Sequence, residues 1–297
     1  MQKWIIMLIA FAAPVFLLAQ PEVEKKRETF PFKASDKGRM LVVENIWGDI
    51  EVEGYDGDEI VIETTRTIDA RTAQGRDKIK QSVKSGMVNL GDAVLLYLDH
   101  PCKNFDEANL TREKIWEGSW NNWSNQKCSW DLEKDFSFRL DYKIKVPKNC
   151  DVKLSTVNES NIRVTNIRGR QNLCNVNGNI ALDGVAGPSM VRTINGDVTI
   201  HYDRNPEEES SYYTLNGVIN AYFKPDLSAQ CFFKTFSGEF YTDLENVTPI
   251  PTTVEKSSED GQFKYANPGG SAFRTGSGKT KLKFETFNGD VYLRTKG

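Results

Sequence analysis

The stretch Thr193-Ile194-Asn195-Gly196-Asp197-Val198-Thr199-Ile200 decides how this chain folds. Asn-Gly is the strongest short turn signal, because both positions tolerate φ > 0. Apolar residues alternate with polar ones on either side, the period of a strand with one buried face. The phrase returns as Thr286-Phe287-Asn288-Gly289-Asp290-Val291-Tyr292-Leu293 and as Asn175-Val176-Asn177-Gly178-Asn179-Ile180-Ala181-Leu182. Shorter copies are Thr214-Leu215-Asn216-Gly217, Thr235-Phe236-Ser237-Gly238, Thr275-Gly276-Ser277-Gly278, Thr156-Val157-Asn158 and the early Asn45-Ile46-Trp47-Gly48-Asp49-Ile50-Glu51-Val52.

Gly178, Gly196, Gly217 and Gly238 lie 18, 21 and 21 residues apart, the length of one coil in a stacked β structure. Two residues before each Thr position stands an apolar residue: Leu154, Leu173, Val191, Tyr212, Phe233, Phe273, Phe284. Stacking would align these as an inward row beside a threonine ladder of Thr156, Thr193, Thr214, Thr235, Thr275 and Thr286. The expectation is an all-β solenoid of about seven coils, in a single domain over residues 20–297. A sandwich of hairpins would also use Asn-Gly turns, but the coil-length spacing favours the solenoid.

Residues 69–140 interrupt the pattern as an irregular excursion. Within it, the polar stretch Thr72 to Lys84, with Ile79 and Val83 four apart, reads as a short surface helix. Residues 101–134 form a Trp-rich insertion carrying Trp116, Trp120, Trp123 and Trp130. Tryptophans of this kind either cap an open end of the stack, where strand edges need cover, or present a ligand or partner surface. Pro249 to Gly270, rich in Pro, Gly, Ser and Thr, reads as a loop between the last two coils.

Residues 1–19 read as an export signal: Lys3 precedes an uncharged apolar run from Trp4 to Leu18, and Ala19 precedes Gln20. The run is short for a membrane span, which needs roughly 20 residues, so the mature chain is expected outside the cytoplasm with no membrane span. There the five cysteines can pair. Cys102 and Cys128 would close the Trp-rich excursion, Cys231 occupies an inward position as a buried free thiol, and Cys150–Cys174 is a further option.

The 297 residues hold 38 Lys+Arg against 41 Asp+Glu, a net charge of −3, which argues against a nucleic-acid partner. Cofactors are not implied. Gly276-Ser277-Gly278-Lys279-Thr280 mimics the end of a phosphate-binding loop, but Phe273 stands where that motif needs Gly and an alternating strand follows where it needs a helix. His100 and His201 read as surface residues rather than acid–base catalysts. Asp56, Asp58 and Glu59 lack the spacing of a calcium loop and read as a hairpin turn.

Val43 to Val52 with Gly54-Tyr55-Asp56-Gly57-Asp58, Tyr142-Lys143-Ile144-Lys145-Val146-Pro147-Lys148 and Thr286 to Val291 resemble the DUF4097 family of β-strand-repeat proteins, which carries an adhesin label. The resemblance covers most of residues 40–297 outside the Trp-rich insertion. It implies a β-repeat scaffold or binding protein of the bacterial envelope, without catalysis. Two other readings stand beside it: a lyase or glycosidase on a β-helical frame, and a periplasmic partner of an envelope regulator. An envelope polysaccharide or an envelope protein would be the partner.

Overall fold

The computed structural model describes residues 20–35, 37–99, 110–118, 136–251, 255–259, 262–266 and 270–295. The chain opens with β1 (Glu22–Pro31), β2 (Arg39–Glu44), β3 (Ile50–Tyr55), β4 (Glu59–Ala70), α1 (Ala73–Ser82), β5 (Lys84–Asn89), β6 (Ala93–Asp99), α2 (Arg112–Glu117) and β7 (Phe136–Pro147). A run of short strands follows: β8 (Cys150–Ser155), β9 (Ile162–Thr165), β10 (Gln171–Cys174), β11 (Ile180–Val185), β12 (Ser189–Asn195), β13 (Val198–Tyr202), β14 (Ser210–Asn216) and β15 (Ile219–Phe223). The chain ends in β16 (Ala229–Ser237), β17 (Phe240–Thr242), β18 (Val247–Pro249), β19 (Glu255–Glu259), β20 (Gln262–Ala266), β21 (Ser271–Thr275), β22 (Thr280–Asn288) and β23 (Val291–Thr295).

Two large sheets carry the fold, and neither closes into a barrel. The first, of ten strands, runs β1-β4-β7-β3-β9-β11-β13-β15-β23-β17; the second, of eleven, runs β5-β6-β2-β8-β10-β12-β14-β22-β16-β21-β18. Among the described residues the sheets share eight rungs, each a second-sheet strand followed along the chain by a first-sheet strand: β6/β7, β2/β3, β8/β9, β10/β11, β12/β13, β14/β15, β22/β23 and β16/β17. Neighbouring rungs pair in parallel and in register. Leu154 thus lies beside Leu173, Leu173 beside Val191, Val191 beside Tyr212, and Tyr212 beside Phe284. Ile162, Ile180, Val198, Ile219 and Val291 form the facing inward row of the first sheet.

The turn phrase explains why the rungs stack so closely. A Cβ added at Gly196 (φ +158°) would lie 2.2 Å from the Gly178 carbonyl oxygen, and one at Gly217 (φ +157°) 2.1 Å from that of Gly196. Only glycine lets successive turns approach this near. Thr193 and Thr214, each before its turn, are buried and donate their hydroxyls to the neighbouring turn: Thr193 to Gly178 O at 3.0 Å, Thr214 to Gly196 O at 2.9 Å. Outside the turn, Asn195 donates to Asn177, Asn216 to Asn195, and Asn288 to Asn216, each at 2.8 Å. Backbone and side-chain ladders therefore run together along the stack.

The ends are finished differently. Thr72 caps α1 by accepting from Gly75 N at 3.0 Å. This helix joins β4 in the first sheet to β5 in the second, and its buried Ile79 and the Val83 that follows it belong to the core that also contains Ile68 and Phe138. The short helix expected from residues 72–84 is therefore present and closes this end. Beyond it β1 forms a charged edge strand, antiparallel to β4 and mostly exposed, which discourages pairing with other chains.

Four sequence expectations need correction. Thr275-Gly276-Ser277-Gly278 is not a turn between the sheets: it links β21 to β22 across the start of β16, so Thr275 lies off the threonine ladder and Phe273 pairs antiparallel with Cys231. Gly238 does not stack on Gly217, because Gly289 lies between them. Pro249 to Gly270 includes the antiparallel hairpin β19–β20 rather than loop alone. The Asp56–Asp58 turn joins β3 to β4, but β7 pairs between these two strands, so they form no hairpin.

Candidate functional site

After each turn the first outward residue of the first sheet is Asp or Asn in most rungs, and its side chain lines the next rung's backbone. Asp141 accepts from Asp49 N at 2.8 Å, Asp49 from Asn161 N at 2.7 Å, Asn161 from Asn179 N at 3.0 Å, Asn179 from Asp197 N at 2.8 Å, and Asp197 from Val218 N at 2.8 Å. Each side chain keeps a second polar atom for other partners. Arg139 takes up one such oxygen on Asp49, at 2.7 Å.

Two residues further on, the outward row changes size along the stack. Arg163, Ala181, Thr199, Asn220, Tyr292 and Tyr241 stand in register on successive rungs. The short side chains Ala181 and Thr199 leave a groove of 380 Å³, bounded by Asp49, Asn161, Asn179 and Asp197 on one side and by Glu51 and Arg163 at one end. At about 4.8 Å per strand, Arg163 and Tyr292 are about 19 Å apart along the stack.

Asp183, His201, Tyr222 and Arg294 make the third outward row. His201 stacks on Tyr222 with ring centres 4.4 Å apart, and its Nδ1 is 3.6 Å from Asp183. Arg294 donates to the Tyr222 hydroxyl at 3.0 Å and lies 4.8 Å from the centre of the Tyr292 ring. Tyr292 stacks on Tyr241 at 4.9 Å. Ring faces are thus turned towards one another, and the Tyr241 and Tyr292 hydroxyls donate to Glu239 and Asp290. Both phenols stay protonated well into alkaline pH: a hydrogen bond to Glu239 is the largest effect pushing Tyr241 up to about 12, and partial burial followed by the bond to Asp290 raises Tyr292. Among the described residues neither Arg163 nor Arg294 has a carboxylate partner. The face offers guanidinium and phenol donors, carboxamides and carboxylates around a shallow trough.

His201 is outward near the end of β13, just before the loop that begins at Asp203, as the sequence predicts. Asp56 and Asp58 are engaged by bases, Asp56 by Lys148 at 2.6 Å and Asp58 by Arg39 at 2.6 Å. Among the described residues no three His, Cys, Asp or Glu side chains converge as metal ligands. Trp116 lies on α2, half-buried against the outer face of the second sheet, where Ile115 joins Met40, Val42, Leu95 and Tyr97 in a separate small core. The Arg170 guanidinium lies 5.1 Å from its ring centre, and Lys153 donates to the carbonyls of Trp116 and Gly118, covering the helix C-terminus. Trp120, Trp123 and Trp130, the proposed Cys102–Cys128 pair, His100 and the signal segment 1–19 lie outside the described residues. Cys150 is buried facing the core, whereas Cys174 is half-buried on the opposite face of the second sheet; both are free thiols. Cys231 is a buried free thiol, as its register implies. Among the described residues no helix is long and apolar enough to cross a membrane.

Arg163, Tyr222, Tyr292 and Arg294 were not singled out from the sequence. Aligning the repeats on their glycines would have placed them in outward rows, because the period of two continues past the turn.

No family model matches the chain, and no curated protein matches it in sequence. Solved structures similar to it include a "putative cell adhesion protein" from Clostridium sporogenes, at 12% identity and TM-score 0.45, covering 93% of this chain and 100% of the other. A "putative adhesin" from Bacteroides fragilis shows 11% identity and TM-score 0.34, over 91% and 97% of the two chains. A "putative lipid binding protein" from Parabacteroides distasonis shows 12% identity and TM-score 0.26, over 93% and 97%.

Proposed function

We propose that this chain is a non-enzymatic, exported binding protein of the DUF4097 type, built as a β-solenoid, and that the outward face of its first sheet holds a neutral carbohydrate chain. The observation that carries this reading is the groove over Ala181 and Thr199, set between the Asp/Asn row and the Asp183-His201-Tyr222-Arg294 row. Sugar hydroxyls take hydrogen bonds from guanidinium and phenol groups and give them to carboxylates and carboxamides. The mixed signs of the face, with Asp183, Asp197 and Asp290 beside Arg163 and Arg294, suit a neutral ligand better than a polyanion. Rungs repeat at about 4.8 Å, so equivalent groups meet successive units of a linear chain. Export follows from reading residues 1–19 as a signal.

Binding to an array of neutral and acidic polysaccharides, followed by calorimetry, tests this. Neutral glycans should bind, and Arg163→Ala with Tyr292→Ala should weaken binding at least tenfold without moving the thermal midpoint. Release of reducing ends or unsaturated products would replace the reading with a carbohydrate-active enzyme.

A further inference from the structure

From β8 to β15 the chain climbs one rung per coil. At residues 224–228 it skips one: β16/β17 stand two rungs beyond β14/β15, and the place between is filled by β22/β23, which arrive only after residues 243–279. The inserted rung is gripped on both sides. Phe284 stacks between Tyr212 and Phe233, with ring centres 5.0 Å from each. Asn288 donates to Asn216 at 2.8 Å, Thr286 to Thr235 Oγ1 at 2.9 Å, and Gly289 N to Ser237 O at 2.9 Å. All its pairing with β14, β15, β16 and β17 is parallel, so no tight turn joins it to either neighbouring rung.

Its link to the rest of the chain is short and constrained. β21 and β22 flank β16 on opposite sides, and Gly276-Ser277-Gly278-Lys279 carries the chain from one to the other across the start of β16. Gly276 (φ +56°) and Gly278 (φ +72°) are both left-handed, and Ser277 N is tied to the Ser228 hydroxyl at 3.0 Å. Tight hinge segments of this sort favour exchange of the element they carry, because straightening them relieves the turn while the exchanged element keeps every native contact.

The walls of the slot also match each other. Tyr212 faces the position of Phe233, Thr214 that of Thr235, Asn216 that of Ser237 and Ile219 that of Phe240, each with β22 or β23 between. If the rung leaves, the walls present complementary rows in the usual register, so departure does not strand a polar surface against an apolar one.

We propose that β22–β23 is an exchangeable rung, and that a second copy of this chain donates its own β22–β23 into the slot between β14/β15 and β16/β17, forming a rung-swapped dimer. The segment seated in the slot belongs to this chain, so a second copy brings the same Phe284, Thr286, Asn288 and Gly289 contacts.

The test uses full-length protein. Asn216→Cys and Asn288→Cys chains, which oppose each other in parallel register, are mixed, loosened in denaturant, returned to buffer together and oxidised. A 216–288 disulfide between chains, found by peptide mapping in a dimer by light scattering, is the expected result. The Asn216→Cys/Asn288→Cys double variant, oxidised within the monomer beforehand, should form at least tenfold less dimer. Recovery of monomer alone, a dimer without the 216–288 link, or equal dimerisation of the locked variant would overturn the proposal.

Discussion

The phenol oxygens of Tyr202 and Tyr212 lie 2.6 Å apart in the core, one on each sheet. Tyr202 also donates to Ser189 Oγ at 2.8 Å, and Ser189 donates to Gln171. All four are buried, so a hydrogen-bonded polar chain ties the two sheets across an otherwise apolar interior. Such groups are stable only while paired.

Tyr212→Phe should lower stability by about 1 kcal/mol at neutral pH, since Tyr202 retains Ser189. Burial, the leading cause in each, raises both phenols above their ordinary value. Their contribution is then complete below the unfolded value of about 10 and is lost as pH climbs through the folded values. Urea midpoints at pH 7 and pH 11 should fall steeply for the native chain and less for Tyr202→Phe/Tyr212→Phe. Equal slopes would exclude these phenols as the source.

Gly196→Ala should cost about 3 kcal/mol or more, because its Cβ would meet the Gly178 backbone rather than a movable side chain. Gly38→Ala is the control. Its φ of +77° is left-handed, but nothing lies within 4 Å of the added carbon, so about 1–2 kcal/mol of backbone strain is expected. Thermal melts of the two variants should differ clearly, and similar midpoints would contradict the close stacking of turns.

Trp116→Ala should destabilise the chain by about 2–3 kcal/mol, through lost packing with Met40, Val42 and Leu95 and the loss of the Arg170 contact. Carbohydrate binding should be unchanged, since Trp116 lies on the second sheet and the groove on the first. A variant of native stability that no longer binds would instead make Trp116 part of a recognition surface.

In the folded protein Cys174 should react with a thiol reagent faster than Cys150 or Cys231. Cys174 is half-buried, whereas the other two are buried, and burial pushes Cys231 up to about 12. Thiolate is the reactive form. Labelling followed by peptide mapping checks this, and Cys231 modified as quickly as Cys174 would refute its inward position.

Much of the architecture was written locally. A period of two assigned Leu154, Leu173, Val191 and Tyr212 to one inward row, and Asn-Gly marked where each strand crosses to the facing sheet. Both signals act over a few residues, so the sequence determined the inward faces, the Asn-Gly turns, the buried Cys231 and the helix carrying Ile79. The order of the last rungs was decided only by the tertiary structure. Gly217, Gly238 and Gly289 lie in nearly equivalent phrases, and nothing local states which pair meets. Connection geometry settled it: residues 224–228 step over one rung, and Gly276–Lys279 cross β16 to deliver β22 into the space. The groove on the first sheet arose in the same way, because Arg163, Ala181 and Thr199 come from separate strands and line it only when long-range pairing puts them in register.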